Sequence, residues 1–184
     1  KRVKVSFARL KDVIKSSFEM IEQLYDKKET ITGVPSGFGD LDELTSGFQR
    51  GELIIIGGRP SMGKTAFALN VAQHIGIDLK EPVAIFSLEM GKEQLVQRML
   101  CCEARVDAHK LRTGYLADKH WSSLTTAAGL LSEAAIFIDD TPSMNVLEMR
   151  SKARRLKAES DVGLVIVDYL QLMRGLGRPE NRQQ

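Results

Sequence analysis

Eight consecutive residues, Gly58-Arg59-Pro60-Ser61-Met62-Gly63-Lys64-Thr65, carry the spacing G-x-x-x-x-G-K-[ST]. That spacing makes a phosphate cradle. Glycines at its two ends permit a backbone path that side chains would block, so main-chain amides can turn inward on phosphate oxygens. The start of a following helix adds partial positive charge. Lys64 brings a full charge for the β- and γ-phosphates, and the Thr65 hydroxyl is of the type that ligates Mg²⁺. The expected nucleotide-binding set is Gly58, Arg59, Pro60, Ser61, Met62, Gly63, Lys64, Thr65 and Ala66, with a nucleoside triphosphate and Mg²⁺ as the bound species. Such a loop needs a carboxylate at the end of a nearby strand to hold the metal's water shell. Two runs offer one: Leu164-Val165-Ile166-Val167-Asp168, and Ile136-Phe137-Ile138 ending in Asp139-Asp140 before Thr141-Pro142. Asp168 is favoured, because its run is unbroken and β-branched, as a central strand buried on both faces should be. Asp139 and Asp140 are read as caps of the turn into Pro142.

Hydrolysis also needs a base to orient and deprotonate a water beside the γ-phosphate. Glu89 follows Val83-Ala84-Ile85-Phe86-Ser87-Leu88 and therefore sits at the carboxyl end of a strand, where ligands bind in open α/β sheets. A second role stands beside this one: an acidic residue at the start of the next helix, favoured by the helix dipole. No G-x-G-x-x-G loop is present, which argues against a dinucleotide-binding oxidoreductase.

The elements that must position these residues alternate. Apolar strand candidates at 53–57, 83–88, 135–139 and 164–168 are separated by helix candidates at 64–75, 92–104, 122–132 and 146–159, the pattern of an α/β fold with a mainly parallel sheet. Ahead of them, Phe7, Leu10, Ile14, Phe18, Ile21 and Tyr25 repeat at three- and four-residue steps, one stripe of an amphipathic helix over 7–25. A polar linker and a turn-rich entry at 33–37 follow, so the chain divides into a linker helix and linker at 1–32 and an ATPase domain at 33–184. The helix stripe either folds back on its own domain or docks on a neighbouring subunit. The basic residues Arg150, Lys152, Arg154, Arg155 and Lys157 share a helix with Val146, Met149, Ala153 and Leu156, and read as a solvated face.

The 26 basic and 24 acidic residues leave a net charge of +2, too small to argue for nucleic acid by itself. No apolar run reaches membrane-spanning length. Cys101 and Cys102 are adjacent, where a mutual disulfide would be strained, so reduced structural thiols in a cytoplasmic protein are expected.

Together, Thr32-Gly33-Val34-Pro35-Ser36-Gly37-Phe38, Leu41-Asp42, Gly47-Phe48, the loop 58–65, Phe86-Ser87-Leu88-Glu89-Met90, Ile138-Asp139-Asp140-Thr141-Pro142 and Asp168-Tyr169-Leu170-Gln171-Leu172 resemble the bacterial replicative DNA helicases of the DnaB type. The resemblance runs from about residue 7 to the last residue. It implies a RecA-like P-loop ATPase core preceded by a linker helix that packs on the adjacent subunit. It further implies a ring of six subunits that uses ATP to move 5′ to 3′ along single-stranded DNA, with a primase and a helicase loader as partners. Gly58, Gly63, Lys64 and Thr65 match the family's phosphate loop, Asp168 its metal carboxylate, Glu89 its catalytic glutamate, and Arg98 an arginine of the active-site network. Arg174, Arg178 and Arg182 fall where the family places a loop at the DNA channel, in a tail expected to be mobile. Alternative readings are a recombinase-type ATPase, or a nucleotide-gated assembly module that does not unwind. The family's N-terminal helical domain, γ-phosphate-sensing glutamine and arginine finger have no counterpart within 1–184. The chain is thus expected to be part of something longer, and by itself to bind nucleotide without efficient hydrolysis.

Overall fold

The computed structural model describes residues 8–28 and 30–175. It divides into two units, Lys1–Leu53 and Ile54–Gln184. In the first, the three-and-four apolar spacing forms α1, Leu10–Lys27. The helix ends where Lys28 takes a left-handed conformation (φ 50°), its N–H donating to the Leu24 carbonyl at 3.1 Å. Leu10, Ile14, Phe18, Ile21 and Tyr25 are all exposed; Phe7, the first residue of the expected stripe, lies outside the described residues.

The 33–37 turn is fastened rather than loose. Val34 and Phe48 exchange backbone hydrogen bonds as an antiparallel pair, on either side of the short helix α2, Gly39–Thr45. Asp42 of α2 is buried, and its carboxylate accepts from Ser36 N at 2.7 Å and Gly37 N at 3.2 Å. A buried carboxylate is tolerable because those amides satisfy it.

In the second unit, α3 (Lys64–Gln73) runs into a single wide turn of π-helix, His74–Asp78. There Gly76 lets the helix approach the sheet: a Cβ at that position would lie 2.6 Å from Ile136 Cγ1. Three strands, β1 (Val83–Ser87), β2 (Ile136–Asp139) and β3 (Leu164–Asp168), form a parallel sheet in the order β2-β1-β3. Between them lie α4 (Lys92–Glu103), α5 (Ala108–Thr113), α6 (Asp118–Glu133) and α7 (Val146–Ser160). β1 is buried at every residue, as its apolar run requires when strands flank it on both sides. Phe86 and Leu88 pack with Met144 and Met149, joined by Ala153, Val167, Leu172 and Met173.

Two expectations need correction. The run 53–57 is not a strand among the described residues; it joins no ladder, and Leu53, Ile54, Ile55 and Ile56 stay exposed. β-branched composition favours a strand only where a pleated, half-buried surface receives it, and here no neighbouring strand does. Nor is 164–168 the central strand. That place belongs to β1, and β3 flanks it with Val165 exposed, because strand order is set by packing and not by the apolarity of either run. Helix 122–132 is longer than expected, beginning at Asp118, and α2 and α5 are additional.

Candidate functional site

Gly63 caps α3 at φ 89° and Ser61 stands at φ 62°, both left-handed, so the loop reverses sharply just before the helix. Glycine meets that demand at 63 without strain. Gly58 is under no such demand, since a Cβ there would make only ordinary contact, 3.4 Å from Lys64 Cγ. The Lys64 ammonium donates to the Gly58 carbonyl at 2.7 Å, closing the loop on itself. Arg59, Pro60, Ser61, Met62 and Ala66 are exposed, and Lys64 and Thr65 are half-buried at the first turn of α3.

Thr65 and Asp168 are 103 residues apart in sequence and meet in the fold. The Thr65 hydroxyl donates to Asp168 Oδ2 at 2.7 Å, with Asp168 buried at the carboxyl end of β3. The short separation is that of a charge-assisted bond. These are two hard oxygen donors side by side, the set a magnesium ion accepts when phosphates and waters supply the remaining positions. The residues therefore fit Mg²⁺ with a bound nucleotide. No group of three or more His, Cys, Asp or Glu placed to hold a metal occurs among the described residues.

Glu89 follows the same carboxyl end of the parallel strands. Ser87 is paired in register with Asp168, and Leu88 N donates to the Asp168 carbonyl at 2.7 Å. The chain then bends, and Glu89 stands exposed on the bend. The Ser87 hydroxyl donates to the Met90 carbonyl at 2.7 Å and accepts from Met90 N at 3.3 Å, so one side chain closes the bend from both sides. Sequence reasoning missed this role; the signal available was a hydroxyl at the end of an otherwise apolar strand. Arg98 lies on an exposed face of α4, lining a cavity of about 490 Å³ that Ala66 and Met90 also border. The structure thus brings the loop, Thr65, Asp168 and the Glu89 bend together, with Arg98 on the cavity beside them.

Asp139 and Asp140 are occupied elsewhere. Asp139 accepts from Thr141 N at 3.0 Å and from Lys152 Nζ at 2.7 Å. Burial pushes its carboxyl upward, but the hydrogen bonds from Lys152 and Thr141 and the charge of Lys152 outweigh this and hold it below the usual carboxylate range. Asp140 accepts from Lys92 N at 3.1 Å, capping α4; that backbone bond chiefly lowers its carboxyl, with the Lys92 ammonium assisting. On α7, Lys152, Arg155 and Lys157 pair with acids of the same helix or its end, and Lys152 also reaches Asp139, while Arg150 and Arg154 stand exposed. Cys101 is buried, and burial pushes its thiol up; Cys102 is exposed and its thiol donates to Asn70 Oδ1 at 2.9 Å.

Arg174 departs from the expected mobile tail. Its N–H donates to the Met144 carbonyl at 3.1 Å and its backbone bridges Asn145, while the side chain is exposed. The backbone has a partner there because the chain returns from the 3₁₀ turn Leu170–Leu172 across the entry to α7. Arg178 and Arg182 lie outside the described residues. No helix among the described residues is long and apolar enough to cross a membrane.

Comparison with known proteins fits this geometry. The family model for the DnaB-like helicase C-terminal domain matches residues 33–184. The chain is 55% identical over 180 residues to the replicative DNA helicase DnaC of Bacillus subtilis (strain 168), and 54% identical over 180 residues to the replicative DNA helicase DnaB of Geobacillus stearothermophilus. Each match covers 97% of this chain, which spans 40% of the length of either relative. Among solved structures, one described as an ATPase domain superposes with a TM-score of 0.86 at 34% identity, covering 96% of this chain and 62% of that one. A DnaB-like replicative helicase, described with its interactions with primase, gives 0.84 at 34% identity, covering 96% of this chain and 42% of the other. The fold is therefore the α/β, RecA-like one of helicase ATPase domains, and the chain belongs to the DnaB-like helicase C-terminal domain family.

Proposed function

We propose that this chain is the ATP-binding part of a replicative DNA helicase motor, acting as a hexameric ring that moves 5′ to 3′ on single-stranded DNA in the cytoplasm. The observation that carries the reading is the Thr65–Asp168 hydrogen bond at 2.7 Å, which sets a phosphate loop and a strand-end carboxylate against each other. In this reading Gly58, Arg59, Pro60, Ser61, Met62, Gly63, Lys64, Thr65 and Ala66 wrap the triphosphate, and Thr65 and Asp168 hold Mg²⁺. The metal's contribution is to neutralise phosphate charge. Lys64 adds its own charge there and is counted with Glu89 as catalytic. Glu89 accepts the proton of a water oriented beside the γ-phosphate, its exposure on the bend leaving room for that water. Arg98 serves the active-site network from across the cavity.

Residues 1–32 act as linker and 33–184 as ATPase domain. The exposed apolar stripe of α1 supports docking on an adjacent subunit, since an unburied stripe of this length marks an interaction surface. Arg174, with an anchored backbone and an exposed side chain, and Arg178 contact DNA phosphates without reading sequence. Primase and a loader are its protein partners.

The test uses the full-length protein on a forked duplex. Glu89→Gln should abolish ATP turnover and strand displacement while nucleotide affinity stays within about threefold, a change below 1 kcal/mol. Turnover retained by Glu89→Gln would overturn the base assignment. Turnover without any strand displacement by the parent would overturn the helicase reading.

A further inference from the structure

We infer that Ser87 is the positioning residue for Glu89, acting as a clamp that fixes the direction in which the carboxylate leaves the sheet. The inference rests on the reading of Glu89 as the base.

Ser87 is the last residue of β1 and is 1% exposed, the one polar side chain of an otherwise apolar strand. A buried hydroxyl needs partners. It finds both on Met90, donating to the carbonyl at 2.7 Å and accepting from the N–H at 3.3 Å. The two residues between, Leu88 and Glu89, are thereby enclosed in a fixed turn. Leu88 is held a second time, since its N–H reaches the Asp168 carbonyl and its side chain enters the core with Phe86 and Met144. Glu89 is the member of the turn left outside and exposed.

The exit of the turn is also fastened. Gly91 precedes α4, and the first amide of that helix, Lys92 N, donates to Asp140 Oδ2 at 3.1 Å. Asp140 follows β2, on the opposite flank of β1 from Asp168. The bend is thus pinned to both neighbouring strands, and Ser87 is the side chain that closes it. General-base catalysis depends on placement, and a shift of about 1 Å can cost on the order of a hundredfold in rate. A hydroxyl that sets the exit direction of the base therefore controls rate rather than nucleotide affinity, because the cradle at 58–65 and the Thr65–Asp168 bond do not include it.

The test is ATP turnover of the full-length protein with Ser87→Ala, Ser87→Thr, Glu89→Gln and Glu89→Asp. Ser87→Ala should lower kcat roughly 10- to 100-fold with KM for ATP and nucleotide Kd unchanged within about twofold. Ser87→Thr, which keeps the hydroxyl, should restore most of the lost rate. Ser87→Ala added to Glu89→Asp should cost less than it does in the parent, since the two share one role. Turnover within twofold of the parent in Ser87→Ala overturns the inference. So does an equal loss in both backgrounds, or loss of nucleotide binding by both Ser87 variants, each of which marks a general structural role. Retained turnover in Glu89→Gln instead sinks the base assignment, and is read separately from the behaviour of Ser87→Ala.

Discussion

Thr65→Val should destabilise the protein and, more tellingly, should do so through Asp168. The substitution keeps the branched shape and removes the hydroxyl, leaving Asp168 Oδ2 without the 2.7 Å donor it has now. Asp168 is only 8% exposed, so water replaces that donor poorly. Hydrogen bonds to charged groups contribute about 1.5–3 kcal/mol net, and the loss is expected near 2 kcal/mol. For a domain of this size each kcal/mol moves the midpoint by about 2–4 °C, so Tm should fall by roughly 4–8 °C. Asp168→Asn is the second arm of a double-mutant cycle, with Thr65→Val/Asp168→Asn as the corner. The double variant should lose at least about 1 kcal/mol less than the sum of the singles, measured by thermal or denaturant unfolding without nucleotide. With nucleotide present, both single variants should lose most of the gain in affinity that Mg²⁺ gives the parent. Strict additivity in the cycle, or an undiminished Mg²⁺ effect in Thr65→Val, would refute the pairing of loop and strand carboxylate on which the site reading stands.

Lys64→Ala removes the ammonium and should weaken nucleotide binding about 10- to 100-fold by fluorescence titration, the equivalent of one charged hydrogen bond or slightly more; unchanged affinity would show that Lys64 does not reach phosphate. Asp139→Asn should destabilise the protein by about 1 kcal/mol near neutral pH, since the native carboxylate accepts from Lys152 and Thr141. Its folded-state acidity is raised, so its contribution is present above the unfolded carboxyl value and is lost as pH falls through the lower folded value. Parent and variant unfolding curves should therefore converge below about pH 4, and a constant difference down to pH 2 would contradict the pairing. Ile14→Asp with Phe18→Ser in α1 should leave far-UV circular dichroism and melting little changed, because both side chains are exposed, yet reduce self-association in sedimentation velocity. Unchanged assembly would assign the stripe to another task.

The phosphate loop was readable because its constraints are local. Eight contiguous positions carry the glycine that the turn needs at 63 and the lysine and threonine that open α3. The strands β1, β2 and β3 were readable as apolar runs, and α7 from its 3.6-residue period. What the runs could not convey was their order. Val83–Ser87 and Leu164–Asp168 are equally apolar, and only packing makes the first central and the second a flank. The misreading of 53–57 has the same root, since composition reports willingness to join a sheet and not the presence of a neighbour. α5 could have been found from Asp107, whose side chain accepts from His109 N, and from Gly114, which stops the helix at φ 75°. At the site, the pairing of Thr65 with Asp168 was reached by matching chemical needs across a hundred residues, whereas the Ser87 clamp left only a polar residue in an apolar strand as its trace.

The order β2-β1-β3 has a consequence for the chain while it is being made. The middle strand is synthesised first, about fifty residues before one flank and about eighty before the other. At 5–20 residues per second, a nascent β1 waits roughly 4–16 s before the second edge it will bury has emerged. During that interval five residues destined for the interior, Val83 to Ser87, offer unpaired amides and apolar side chains to any passing strand. The arrangement that places Asp168 and the Glu89 bend side by side therefore leaves its middle strand without at least one of its neighbours for the whole of that interval.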